Sequence, residues 1–556
     1  MDPPPQITLT PTEERVRQLL VDAAEHIDRT LPPDSIPAKV KTDEPLTLRF
    51  TGGWVRDKLL GGQCNDIDVG INKMTGYEFA TKLGDFMTAN YEKYNIDPRH
   101  IHKIACNPEK SKHLETATTR MLGLDIDFVN LRCETYNSGS RIPEMEFGTP
   151  REDALRRDAC VNALFYNIHT HEVEDWTERG LSDMKNKLIR TPLEPKATFD
   201  DDPLRILRLI RFASRLGFTI VDEAKKAMMD PKIQEALRVK ISRERVGVEV
   251  EKMLKGPNPY QGITLIYTLN LYHTIFTPPT ETLPATIPLP ATIPSMSQST
   301  AALQYLLTAT EIPYSNLRTL LLSTSHERLL AWLLASLTPW KKYTFPGADK
   351  KKGIPGAATA AREGLKLDNK MHSTIVASYR RYEKIGEFVE EMASSEVVAR
   401  GKTGLFIRDL GSDWRSQYLL TLLIELLTTW PLSPTPPPSP SSSSRSPSPS
   451  PPLPLPQASS TPDPASLEIF NKYSRVLTKL TDLDLLNATT IQPILNGKEI
   501  MSVLEQKRAG PWMKEALDRL VVWQLDNVEK GKEEAEVWVR ENKEMLLAGR
   551  GGEEVI

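Results

Sequence analysis

The chain has 556 residues, with 70 Lys+Arg against 73 Asp+Glu, 44 prolines and four cysteines. That length holds several domains, and a formal net charge of −3 excludes polyanion binding through overall charge, so any such site must be local. Cys64, Cys106, Cys133 and Cys160 form no C-x-x-C pair, which speaks against zinc and fits a reducing compartment.

Residues 1–44 read as an N-terminal extension with a helix. The opening MDPPPQITLTPTEERVRQLL carries early acids and no apolar core, so neither a secretory signal nor an efficient transit peptide is expected. From 45 to 175 the runs LTLRF, DIDVGI, DIDFVNL and those around CVNALFYNI are short, β-branched and aromatic, which predicts strands. After about 180 the apolar spacing turns to 3–4, as in LRILRLIRFASRL, RVGVEVEKML, LQYLLTA, ERLLAWLLASL and WMKEALDRLVVWQL. The expected fold is an α/β head with a mixed β-sheet, followed by an all-α neck (176–276), body (301–430) and tail (465–556). Three breaks interrupt it: a Pro/Thr-rich loop at 277–300 with LPATIP twice in tandem, a weaker one at 345–358, and 431–464, where 25 of 34 residues are Pro or Ser. No core forms from the last, so a disordered insert is expected. The longest apolar run, YLLTLLIELL (418–427), contains Glu425 and is too short to span a membrane. The expectation is a soluble intracellular protein of cytoplasm and nucleus, with mitochondrial residence left open.

The stretch TGGWVRDKLLGGQCNDIDVGI (51–71) concentrates the chemistry of the head. On a strand, Asp66 and Asp68 share one face and Ile67 takes the other. Two such carboxylates stay ionised beside a cation, and paired divalent ions are the usual solution for phosphoryl chemistry. Taken alone, D-x-D is common and more often a polar strand end on a solvated edge. Gly52-Gly53 change the balance: glycines let a backbone approach phosphates, and the following WVRDKLLG helix with Arg56 would brace the approach. LDIDFVNLR supplies Asp127, a third acid on an alternating strand, which could complete a metal cage, act as general base, or be a partly exposed strand acid.

Farther on, DALRRDACVNALFYN (153–167) offers Arg157 and Asp158. Adjacent arginines suit triphosphate oxygens, and a salt-bridge cluster with Asp153 and Asp158 is the structural alternative. FDDDPLRILRLIRFASRLGF (199–218) predicts a helix capped by Asp202 with Pro203 at its first position. Arg205, Arg208, Arg211 and Arg215 would form one basic stripe, either an ordinary solvated face or a phosphate contact. A carboxylate accepts from an exocyclic amine and a guanidinium donates to a ring nitrogen. An Asp202/Arg205 pair therefore fits C and A and rejects U and G without a nucleic-acid template.

These residues together resemble the class II tRNA nucleotidyltransferases, the CCA-adding enzymes, in their eukaryotic branch. GGWVRDKLLG…DID, ALRRDACVNAL, DWTERGLSDMKNKLIRTP, DDPLRILRLIRF and ISRERVGVEVEKML are similar to that family's five motifs, in order, over roughly 45–275. The resemblance implies nucleotidyl transfer: C, C and A added to a tRNA 3′ end from CTP and ATP. It implies Mg²⁺ on Asp66 and Asp68, triphosphate contacts from Gly52, Gly53 and Arg56, and nucleotide contacts from Arg157, Asp158 and Arg208. Asp202 and Arg205 would be the amino-acid template, and Arg211 and Arg215 would face RNA. Asp201 stands where the fourth motif usually has Glu. Two rivals remain: a poly(A) polymerase of the same superfamily, against which LDIDFVNLR weighs, and a non-catalytic RNA-binding adaptor, against which the retained acids weigh.

Overall fold

The computed structural model describes residues 5–32, 36, 44–96, 101–104, 116–135, 144–279, 288–291, 293–346, 353–432 and 457–548. The chain divides into two compact units, Met1–Thr274 and Ile275–Ile556.

The first unit opens with α1 (Pro11–Thr30). Thr10 and Glu13 form a reciprocal capping box there, and Pro11 supplies the preset first position. β1 (Leu48–Thr51) runs through Gly52 into α2 (Gly53–Leu59), followed by β2 (Asp66–Ile71), α3 (Gly76–Ala89) and α4 (Tyr91–Tyr94). Next come β3 (Ile101–Ile104), β4 (Thr116–Met121), β5 (Leu124–Asn130), β6 (Arg132–Thr135), β7 (Glu144–Phe147) and α5 (Pro150–Leu155). A 3-10 turn, Cys160–Asn162, leads to β8 (Phe165–Asn167) and β9 (Glu172–Glu174).

Seven of these strands form one sheet in the order β3-β4-β5-β2-β1-β8-β9, and β6 and β7 pair separately as a ribbon. Only β2 and β5 run parallel within the seven, so the expected mixed sheet is what forms. The β-branched and aromatic residues supply its buried face: Phe50, Ile67, Val69, Ile126 and Phe128 are fully buried, while Asp66 and Asp68 lie on the open side of β2. At the start of α3, Gly76 lets the helix press on β5. A Cβ there would stand 1.9 Å from the Phe128 carbonyl oxygen.

Helices then take over: α6 (Gly180–Lys185), a two-residue strand pair β10 (Leu188–Ile189) and β11 (Thr219–Ile220), and between them α7 (Pro195–Asp201) and α8 (Arg205–Leu216). α9 (Asp222–Met228), α10 (Pro231–Lys240), α11 (Arg243–Leu254) and α12 (Pro259–Thr268) follow. α8 differs from its predicted start. Asp202 ends α7, and Pro203 and Leu204 form a turn in which the Arg205 N–H donates to the Asp202 carbonyl. Of backbone donors the Asp202 carboxylate accepts from Leu204 N (3.1 Å), so it ties down the turn instead of capping the helix.

The second unit is helical, with buried Trp332, Trp340, Trp414 and Trp430 in its core. The apolar run at 418–427 sits within the 13-residue helix Trp414–Leu426. Among the described residues no helix is long and apolar enough to cross a membrane. Most of the Pro/Ser-rich insert (433–456), much of the LPATIP repeat and 347–352 lie outside the described residues. The insert leaves and rejoins the unit at one place, since Leu432 bridges Ala458 and Trp430 Nε1 donates to the Ser459 carbonyl. Asp463 then caps the next helix, Pro464–Asp482.

Candidate active site

A cavity of about 630 Å³ lies beside the open face of β2. Gly52, Gly53, Arg56, Asp66, Asp68, Arg157, Asp158, Asp202, Arg205, Arg208, Arg211 and Arg215 all line it. Asp127, the remaining candidate, is not in that lining.

The acids come first. Parallel pairing sets Asp68 opposite Asp127 and Asp66 opposite Asp125, so four carboxylates share a face of two strands. Asp125 is drawn aside by Arg120 (3.5 Å). Asp66 is pushed above the usual carboxylate range by burial and by Asp127 and Asp125. Asp68 is pushed up to about 6 by burial, opposed by Arg157, with Asp127 and Asp66 adding to the rise. Asp68 is exposed to water on the open side of β2, which softens the shift without reversing it. Among the described residues no three His, Cys, Asp or Glu side chains converge as a complete metal cage. A carboxylate pair raised by burial and by neighbouring acids fits a hard divalent ion that takes one or two protein oxygens and fills its shell from phosphates and water.

Gly52 forms the wall next to them. Its φ of 71° and ψ of −129° suit only glycine. A Cβ there would lie 3.1 Å from Arg157 Nη1 and 3.7 Å from Asp68 Oδ2. Backbone, guanidinium and carboxylate thus meet at a single point. α2 is only seven residues long and has no side-chain cap, so the arginines carry more of the positive potential than its helix end does.

The arginines are tethered, each by a carboxylate remote in sequence or by carbonyls. Arg156 and Arg157 share Asp153 through contacts of 2.9 and 2.8 Å. Burial would raise Asp153, but the two guanidiniums outweigh it and hold it down at about 2. Arg157 also donates to Thr51 Oγ1 (3.2 Å) and to the Asn162 carbonyl (3.1 Å). Arg56 binds the Asn162 side chain and Asp57. Arg208 Nε binds Asp158 (2.6 Å), Arg211 binds Glu249 (2.7 Å), and Arg215 binds Asp57 (3.1 Å). The guanidiniums of Arg56, Arg208 and Arg211 surround the Phe212 ring at 5.8, 5.6 and 4.4 Å. The basic stripe is thus exposed in part, at Arg208 and Arg215, and its charges are paired with Asp57 on α2, Glu249 on α11 and Asp158.

In the same cavity, Asp202 Oδ2 accepts from Arg245 Nη2 at 3.3 Å. Arg205 is nearly buried and donates to the carbonyls of Arg156 (2.9 Å) and Thr198 (3.4 Å), with Glu134 3.9 Å away. Its planar fork is thereby fixed in direction. Asp201 is pushed upward by burial, against Arg205. Glu134, Phe212 and Arg245 line the same cavity and escaped the sequence-based selection. Glu134 and Phe212 show no motif spacing. Arg245 lies inside ISRERVGVEVEKML, where it reads as an ordinary helix charge.

A family model described as the poly(A) polymerase head domain matches residues 48–190. A second, described as a probable RNA and SrmB-binding site of polymerase A, matches 217–282. The chain is 40% identical over 549 residues to nucleotidyltransferase lcsQ of Purpureocillium lilacinum, covering 94% of this chain and 89% of that protein. It is 38% identical to the mitochondrial CCA tRNA nucleotidyltransferase of Candida glabrata, covering 95% of each. It is 37% identical to that of Saccharomyces cerevisiae, covering 94% and 91%. The solved structure of a CCA-adding enzyme in its apo form II matches at 20% identity and a TM-score of 0.58, covering 97% of this chain and 96% of that one, which speaks to the fold. With two such relatives matched over nearly their whole length, the chain belongs to the CCA tRNA nucleotidyltransferases, class II, eukaryotic branch.

Proposed function

We propose that the cavity beside β2 adds C, C and A to the 3′ end of immature tRNA, using CTP and ATP, with Asp66 and Asp68 as the ligands of Mg²⁺. The carrying observation is one cavity lined together by the aspartate pair on β2, the Asp202/Arg205 pair and a set of fixed guanidiniums. That set of groups suits a nucleoside triphosphate: phosphates among Gly52, Gly53, Arg56, Arg157 and Arg208, and a base at the fourth-motif turn.

Bound Mg²⁺ would lower the pKa of the attacking hydroxyl and neutralise charge on the leaving pyrophosphate. Asp66 and Asp68 present their oxygens on one face for that purpose, and Asp127 adds negative potential behind Asp68, as a general base or as support. Arg157 and Arg208 neutralise phosphate oxygens, and because both are already held by carboxylates they need no reorganisation at the moment of reaction. Asp158 holds Arg208 and stands within reach of a ribose. Asp202 accepts from the amine of C or A, and Arg205 donates to the adjacent ring nitrogen. The 3′-hydroxyl then attacks the α-phosphorus in line, and the P–O bond to pyrophosphate breaks.

Residues 45–175 serve as catalytic head, 176–276 as the nucleotide-selecting neck, 301–430 as body and 465–556 as the tail that grips tRNA by shape and phosphate. Of the two arginines expected to face RNA, Arg215 is the more exposed and Arg211 is bound to Glu249, which favours Arg215 for that contact. The protein acts within the cell, with cytoplasm, nucleus and mitochondrion as its compartments.

The test is addition to a tRNA lacking CCA with each labelled nucleotide in turn. Three additions in the order C, C, A are expected. An open-ended A tail would instead support the poly(A) polymerase reading that the name of the head-domain family model favours.

A further inference from the structure

We propose that Glu13 on α1 is a positioning residue that sets the triphosphate cradle from behind, through Trp54 and Lys58 on α2. This rests on the reading of Gly52, Gly53 and Arg56 as triphosphate contacts.

α2 is a weak element taken by itself. It has seven residues, a glycine before it and no side-chain cap, and helices this short do not hold their position unaided. One side of α2 carries the cradle: Gly53 and Arg56 line the cavity. Trp54 and Lys58 belong to its buried back. Trp54 is fully buried, edge-on to Phe50 at 4.9 Å and 6.0 Å from the Tyr166 ring.

Glu13 reaches this back from an element 41 residues earlier in the chain. Its Oε1 accepts from Trp54 Nε1 at 3.2 Å, and its Oε2 accepts from Lys58 Nζ at 2.6 Å. Lys58 also lies over the Trp54 ring at 5.5 Å. Both partners of this ion pair are nearly out of water, 7% and 4% exposed at their side chains. The carboxylate cannot drift, because Oε2 also accepts from Thr10 N (2.7 Å) in the capping box of α1. α1 is anchored in turn at three further points along its length. Arg17 donates to the Ile168 carbonyl, Asp22 binds Lys93, and Asp28 binds Lys73. A 20-residue helix fixed to the sheet thus holds a seven-residue helix at both ends of its buried face.

The consequence is specific. Loosening Glu13 lets α2 rock, which moves Gly52-Gly53 and Arg56 relative to Asp68 and Arg157. Phosphate binding weakens for every nucleotide alike, because the base is read elsewhere, by Asp202 and Arg205. Base choice and tRNA affinity stay as they are.

The experiment uses the full chain with Glu13→Ala, Glu13→Gln, Lys58→Met and Trp54→Phe. Steady-state addition to tRNA lacking CCA is measured with CTP or ATP varied, alongside equilibrium CTP binding and thermal melting. The expected result for Glu13→Ala is a rise in KM for CTP and ATP by a common factor, on the order of tenfold. Glu13→Gln, which keeps an acceptor, should fall between it and wild type, with the CTP:ATP preference and the KM for tRNA unchanged. Three results would overturn the proposal: wild-type KM for both nucleotides, a change that differs between CTP and ATP, or a loss confined to kcat that tracks the folded fraction. If Glu13→Ala fails to fold, Trp54→Phe and Lys58→Met carry the test, since each removes one donor and leaves the capping box intact. Should wild type itself not extend tRNA, the functional reading fails, and CTP binding by the same variants still decides the role of Glu13.

Discussion

Arg208 Nε and Asp158 Oδ2 stand 2.6 Å apart, with the guanidinium open to the cavity at 39% exposure and the carboxylate 8% exposed beneath it. Burial pushes Asp158 up, but the Arg208 charge outweighs it and keeps the carboxyl below its usual range. The pair is therefore unequal. Removing the exposed partner strands a buried charge, while removing the buried partner leaves a cation that water can reach.

Arg208→Ala should accordingly cost about 3 kcal/mol of stability, because only the Asn162 amide (3.3 Å) then serves Asp158. Asp158→Asn should cost about 1 kcal/mol. Denaturant unfolding of the two variants measures the difference. Equal costs would mean that the pair is wet and that Asp158 is not held by Arg208.

The two glycines at 52 and 76 should separate function from folding. Gly52→Ala forces a side chain into a backbone conformation that costs about 1–3 kcal/mol, and it crowds Arg157 and Asp68. Turnover per folded molecule should drop about a hundredfold. Gly76→Ala puts a Cβ on the Phe128 carbonyl, and Gly76 itself does not line the cavity. It should lower the melting temperature more than Gly52→Ala while leaving kcat/KM of the folded fraction unchanged. Melting curves paired with active-site titration check both.

Much of this was legible in the sequence, and the illegible part has a common cause. DIDVGI and LDIDFVNL alternate, so the strands and the facing of Asp66, Asp68 and Asp127 follow from period two. The apolar residues Leu207 and Ile210 repeat at helical spacing, and both are fully buried. What local patterning does not encode is which distant acid meets which arginine. Asp57 and Arg215 are 158 residues apart, and Glu249 and Arg211 are 38 apart. A run of arginines looks the same whether it faces solvent or four carboxylates. The same holds for Glu13, which reads as a capping residue and is one, while its carboxylate also clamps α2. The start of α8 was misplaced because Asp-Pro is a strong cap signal, and here the Asp202 side chain satisfies the turn N–H of Leu204 instead.

The neutralised stripe leads to a contrast between Arg211 and Arg215. Arg211 is 14% exposed at its side chain and bound to Glu249, itself nearly buried. Arg211→Ala should cost about 3 kcal/mol, because only Arg208 at 3.9 Å then faces the Glu249 carboxylate, with tRNA affinity per folded molecule unchanged. Arg215 is 49% exposed and its partner Asp57 is 14% exposed. Arg215→Ala should shift stability by no more than about 1 kcal/mol and weaken tRNA binding, less so at high salt. Filter binding at two salt concentrations, with unfolding curves, distinguishes these outcomes.

Base choice should follow Asp202 and Arg205. Asp202→Asn offers either an oxygen or an N–H to the base, so UTP and GTP should become substrates as discrimination relaxes by roughly 1–3 kcal/mol. Arg245 loses a charged partner in the same variant, and stability should fall by about 1 kcal/mol as the tie to Leu204 N weakens. Misincorporation assays with each nucleotide read the first effect, and thermal melts read the second. Unchanged nucleotide choice in a folded variant would remove Asp202 from the template.

The acid side of the pH profile should be set by Asp68. Its carboxyl is pushed up to about 6, so it ionises in the folded chain later than in the unfolded one. An acid raised in this way destabilises once charged: the apo fold loses stability as pH climbs from about 4 to about 6, and keeps that loss above. Asp153 runs the other way. Held at about 2 by Arg156 and Arg157, it stabilises fully above about 4, and that contribution fades as pH falls towards 2. Asp68→Asn should therefore raise apo stability at pH 7 by about 1 kcal/mol, after allowance for its water-facing side, and abolish addition. The gain should vanish near pH 4, where wild-type Asp68 is already neutral. At limiting Mg²⁺, wild-type kcat/KM should fall about tenfold per pH unit below about 6, as protonation of Asp68 removes a ligand. Excess Mg²⁺ should move that limb to lower pH. A limb that ignores Mg²⁺ concentration would mean that the titrating group does not bind the metal.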